Sequence, residues 1–112
     1  MKTCTLTGVQ PTKEQAHSAL RANEECARKL IFQWAHGLSC EMLAVLEVMC
    51  GSVSGDEFHF AGPILGGNGE PSGDIAVGHY NFRTDKGEVN IGQRSEIIAL
   101  QTYTRIDLSP LR

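Results

Sequence analysis

Hydrophobic residues along this chain recur first at one spacing and then at another, and the changes mark its predicted elements. Residues 3–9 alternate Thr3, Thr5 and Thr7 with Cys4 and Leu6, the period-two signature of a short strand. Pro11 ends it, and Thr12 followed by Gln15 is a capping-box pattern that opens a helix. From there Ala16, Leu20, Asn23, Ala27, Leu30 and Trp34 follow one another in three- and four-residue steps, predicting one amphipathic helix from Thr12 to His36. Glu24 with Arg28 and Glu25 with Lys29 mark its solvent side. Phe32 falls off the apolar stripe. Gly37 is a natural helix stop, Ser39 a natural cap, and a second helix is predicted from Cys40 to Cys50, closed by Gly51. Its run from Met42 to Met49 is apolar on nearly every side, so it has to be covered all round. A second copy of the chain would do that, which makes a homo-oligomer, most simply a dimer, the expected state.

The second half returns to strand-like patterning. Strands are predicted at 57–65, 74–82, 88–91 and 96–108, separated by the Gly-rich loop 66–73, a turn at 84–87 and another at 92–95. The fold class that results is α+β, in the order β-α-α-β-β-β-β, with two helices packed on one face of a four- to five-stranded antiparallel sheet. A turn at Thr84–Gly87 sets Phe82 opposite Val89 and Tyr80 opposite Ile91, giving one apolar sheet face with Ile98 and Leu100. The other face mixes large apolar groups with hydrogen-bonding ones: Phe60, His79, Asn81, Asn90, Gln101, Tyr103 and Arg105. Such a mixture fits an interface or a ligand platform, so these seven are the candidate binding residues.

Composition narrows the classes. At 112 residues with 41% hydrophobic and 21% charged positions, the chain suits one globular domain, residues 1–112. No run approaches the roughly 18 apolar residues of a membrane span and no apolar leader is present at the N-terminus, so a cytoplasmic protein is expected. Cys4, Cys26, Cys40 and Cys50 contain no Cys-x-x-Cys and read as buried free thiols. From residue 30 to residue 82 there is no Lys or Arg, while Glu41, Glu47, Asp56, Glu57, Glu70 and Asp74 fall within it. No basic stripe emerges, which argues against nucleic acid as a partner.

The chemistry-bearing residues form no recognised catalytic motif, and no stretch resembles a known family. The loop Gly66–Gly73 runs from strand to strand and lacks Gly-Lys-Ser/Thr, so it reads as a hairpin connection rather than a phosphate loop, with a ligand lid as the alternative. His36 and Cys40 are four apart but separated by Gly37, and the expected register puts His59 and His79 on opposite sheet faces, so no metal site or cofactor is expected. Three functions follow, in order. The first is a non-enzymatic accessory protein, immunity- or inhibitor-like, that captures a protein partner through the mixed sheet face. The second is a small-ligand protein in which Arg105 and His79 clamp an anionic group, such as a nucleotide phosphate, and Tyr103 stacks. The third is an enzyme with His79 as general base.

Overall fold

Leu30, Phe32 and Trp34 are buried while Ile31 between them is 44% exposed. That is an alternation of period two, and the residues form a strand rather than the end of a helix. In the computed structural model, which describes residues 2–26, 30–36 and 44–111, the chain is mostly sheet. The strands are β1 (Lys2–Gln10), β2 (Leu30–His36), β3 (Ala44–Val48), β4 (Cys50–Ser54), β5 (Glu57–Leu65), β6 (Pro71–Asn81) and β7 (Lys86–Gly92). Two helices accompany them, α1 (Lys13–Cys26) and the five-residue α2 (Arg94–Ile98), with 3-10 turns at Ala99–Tyr103 and Ser109–Leu111. All pairings are antiparallel in the order β3-β2-β1-β7-β6-β5, and β3 pairs back onto β5. The result is a closed six-stranded barrel, which replaces the expected layer of helices on an open sheet.

Closure depends on one edge of β5 serving two segments. Leu65 and Ile64 pair with Val45 and Leu46 of β3, and residues 57–61 pair with β4. The register advances by one residue between the two pairings, where Met49 N donates to Ala61 O at 2.9 Å. Residues 44–54 thus behave as one strand bent at Met49, in the manner of a β-bulge at a barrel rim. This stretch was expected to be the apolar helix 40–50, of which residues 40–43 lie outside the described residues. Its inner positions Leu46 and Val48 are buried and its outer positions Val45 and Glu47 half-buried, so apart from the exposed Met49 at the bend both faces are covered within one chain. The argument for an oligomer through an uncovered helix therefore loses its premise.

Inside the barrel lie Cys4, Leu6, Leu30, Phe32, Trp34, Leu46, Val48, Phe58, Phe60, Ala76, Tyr80 and Val89. The start of α1 is as the sequence implies: Thr12 N donates to Gln15 Oε1 at 3.1 Å and Gln15 N to Thr12 Oγ1 at 3.3 Å. Ala19 and Leu20 of this helix pack against the interior cluster, and Lys13 bridges to Asp56 at 3.0 Å. Cys50 is a buried free thiol, but Cys4 is disulfide-bonded, so the expectation of four free cysteines fails there. Among the described residues no helix is long and apolar enough to cross a membrane.

The predicted last strand, 96–108, does not form. Gln93 and Glu96 make a capping box, with Gln93 N donating to Glu96 Oε1 at 3.2 Å, and start α2 instead. The C-terminal segment then lies against the barrel's outer wall. Ile97, Ile106, Leu108 and Leu111 bury Ala61, Ile75 and Val77 in a second apolar cluster that includes Cys50.

Candidate functional site

The strand pairings bring one pair of side chains together that the expected register separates. His59 of β5 lies directly opposite His79 of β6, on the outer face, with ring centroids 5.9 Å apart. The loop expected between these strands, residues 66–73, leaves their register open in the sequence, and a one-residue error there exchanges the two faces of β5. For the same reason Phe60, expected on the mixed face, points into the barrel and is fully buried. The β6–β7 register also differs, with Tyr80 opposite Gly87 and Gly78 opposite Val89, because the turn spans residues 82–85 rather than 84–87. This is a slip of four. An even slip leaves every side chain on its expected face, so His79 and Asn90 remain on the outer wall.

Between this wall and the C-terminal segment is a cavity of about 400 Å³, lined by Glu57, His59, Val77, Gly78, His79, Asn90, Leu100, Tyr103, Thr104, Arg105 and Ile106. Four of the seven expected binding residues line it: His79, Asn90, Tyr103 and Arg105. Val77, Leu100 and Ile106 supply an apolar floor, and Tyr103, 86% exposed, stands at the rim. Asn90 Oδ1 accepts from Thr3 Oγ1 at 2.7 Å, so its amide NH₂ is the donor it can offer a ligand. The loop Gly66–Gly73 contributes nothing to the lining, which leaves it a hairpin connection rather than a lid over this cavity.

The remaining two expected residues support the site without lining it. Asn81 Nδ2 donates to Glu57 Oε1 at 3.1 Å, while Asn81 Oδ1 accepts from the backbone N–H groups of Arg83 and Thr84 at 2.9 and 3.0 Å. It closes the β6–β7 turn as an Asx cap and fixes a lining carboxylate at the same time. Gln101 is a staple for the segment that carries Tyr103 and Arg105. Its Nε2 donates to Ile106 O at 2.8 Å and its Oε1 accepts from Leu108 N, while Thr104 Oγ1 donates to Gln101 O at 3.2 Å.

Sequence reasoning missed His59 and Glu57. His59 Nε2 is buried with no hydrogen-bond partner. Burial first, and then the Arg105 guanidinium, push the His59 pKa below the ordinary histidine value; Glu57 pulls it up and His79 lowers it further. A depressed histidine pKa means that the unfolded chain binds a proton the folded chain refuses. Stability is therefore full above about pH 6.5 and declines as pH falls through that value toward the folded pKa. The melting temperature is expected to drop between pH 7.5 and pH 5.5 in the native chain and to drop less in His59→Gln, as followed by circular dichroism.

Other chemistry is less well supported. Among the described residues no three His, Cys, Asp or Glu side chains gather closely enough to hold a metal ion, and Cys40 lies outside them. The Cys50 thiol is pushed up to about 11, by burial first and by Asp107 second, so it is a poor nucleophile at neutral pH. Comparison with known protein families, characterised proteins and solved structures finds no match to this chain.

Proposed function

We propose that the chain binds a small organic anion in the outer-wall cavity, with its charged head between Arg105 and the two histidines and its apolar body on Val77, Leu100 and Ile106. The observation that carries this reading is the convergence of a guanidinium, two imidazoles and an amide, beside the single carboxylate of Glu57, over an apolar floor in a cavity of about 400 Å³. That volume is within the usual range for small-molecule sites, where a few polar groups orient a ligand held mainly by apolar contact. Tyr103 is placed to stack on an aromatic ligand. The partner-capture reading has less support, because Phe60 faces inward and the chain's own residues 94–111 cover much of the outer face it needed. A cytoplasmic setting has a point against it in the disulfide at Cys4, since such bonds are rare where thiols are kept reduced.

A charge-assisted hydrogen bond from Arg105 is worth about 1.5–3 kcal/mol, so Arg105→Gln is expected to weaken binding of benzoate or benzenesulfonate by about tenfold or more. Isothermal titration calorimetry on the native and variant chains measures this directly. Equal affinity in the two would remove Arg105 from the site. Failure of both probes to bind the native chain, with no rise in melting temperature at millimolar probe, would overturn the proposal.

A further inference from the structure

The charged groups that line the cavity nearly cancel. Arg105 is matched by Glu57, whose carboxylate Asn81 holds at 3.1 Å, so the remaining balance is left to His59 and His79. Around them, β6 and β7 set Glu88 directly opposite His79, β4 places only Ser52 opposite His59, and the C-terminal segment presents Arg105 and Tyr103, with Asp107 acting on Cys50 instead. With both imidazoles neutral the lining carries no net charge, and each proton added to the pair makes it more favourable to an anion by one unit. We propose that this site takes up its organic anion together with a proton, His59 and His79 being the pair that receives it. The inference rests on the anion-binding reading above.

The geometry supplies the mechanism. His59 and His79 are cross-strand neighbours at 5.9 Å, close enough that a second proton on the pair is opposed by the first, while Arg105 opposes a proton on His59. An anion seated between the three groups reverses that opposition. It offers an acceptor to whichever imidazole is protonated, and it offsets the guanidinium that, after burial, disfavours a proton on His59. His59 Nε2, buried and unpartnered, is the polar atom whose situation improves most when an anionic oxygen reaches it. No covalent step is involved: the proton comes from solvent, moves onto an imidazole nitrogen as the anion enters, and returns to solvent when it leaves.

The sign follows from linkage. The His59 pKa is depressed in the free site, and an anion beside it would raise that value, so protons are taken up on binding between the two values and affinity increases as pH falls through that window. Benzoate and benzenesulfonate serve as probes because both stay ionised from pH 7.5 to 5.5, and benzamide serves as the uncharged counterpart of benzoate. Titration calorimetry should show anion affinity rising as pH falls from 7.5 to 5.5, by up to about tenfold per pH unit for one coupled proton. Benzamide should show little change. Repeating the titration near pH 6.3 in Bis-Tris and in imidazole, cationic buffers with different ionisation enthalpies, should give a net uptake approaching one proton. In His59→Gln and His79→Gln the pH slope should flatten, with folding at each pH checked by circular dichroism. Anion binding with the same affinity at both pH values, or with proton release, would overturn the inference and leave the binding site intact. Absence of anion binding at both pH values would overturn the binding reading and this inference together.

Discussion

Phe32→Ala should destabilise the chain by about 3–5 kcal/mol, the range for truncating a buried phenylalanine. Phe32 is fully buried at the centre of an aromatic cluster, its ring centroid 4.5 Å from Phe60, 5.3 Å from Phe58 and 5.5 Å from Trp34. The pairs are tilted or edge-on, the arrangements in which ring quadrupoles attract, so truncation removes those contacts as well as apolar area. Against a total stability of about 5–15 kcal/mol for a domain, such a loss is a large share of the whole. Urea denaturation measures it through a lowered midpoint, with Phe32→Leu expected to lose much less because it conserves more volume. The test also discriminates between folds. In a helix over residues 12–36, Phe32 would lie off the apolar stripe and its truncation would cost little. A loss under about 1 kcal/mol would contradict the barrel.

Gly62→Ala is the second large effect, and its target is barrel closure. A Cβ on Gly62 would sit 1.8 Å from Glu47 O, 2.9 Å from the carbonyl carbon and 3.1 Å from Met49 N. Those atoms are backbone, at the bend where β3 gives way to β4, and they cannot rotate aside as a side chain can. The substitution must push β3 away from β5 and loosen the Val45–Leu65 and Leu46–Ile64 pairs. A cost at or above the roughly 1–3 kcal/mol of ordinary overpacking is expected. Amide hydrogen exchange should show the earliest loss of protection at Leu46 and Ile64. Gly67→Ala is the matched control, since nothing lies within 4 Å of a Cβ at that position. If the two variants proved equally stable, the close approach of β3 to β5 would be disproved.

Local pattern and fold part company at particular residues. Leu30 and Trp34 are four apart, a spacing that is in phase with both a helix and a strand, so they continued the stripe of α1 without revealing the change of element. Phe32, which did not fit that stripe, was the residue that carried the strand signal. In β3, Ala44–Val48, both faces of the strand are at least half-covered, and the apolar run that results cannot be told from a buried helix by periodicity. At 93–96 a usable signal existed, because Gln-x-x-Glu is the capping box that starts α2. The candidate site was partly legible because a register slip of four between β6 and β7 kept His79 and Asn90 on the outer wall. It was incomplete because the β5–β6 register is not encoded in a long loop, which concealed His59 beside His79.

By itself the sequence determined what short-range chemistry determines. Alternation specifies β1, the Thr12–Gln15 exchange specifies where α1 begins, and the polar–apolar alternation of residues 74–91 specifies which side chains of that hairpin share a face. Tertiary structure alone decided that the sheet closes on itself and that residues 94–111 fold back over the outer wall. Closure pairs Val45 with Leu65 and the cavity joins Glu57 to Arg105, and such contacts depend on registers set by packing across the whole barrel rather than by any local period. The cavity belongs to that second category: its residues are separate in the chain, and the fold is what brings them together.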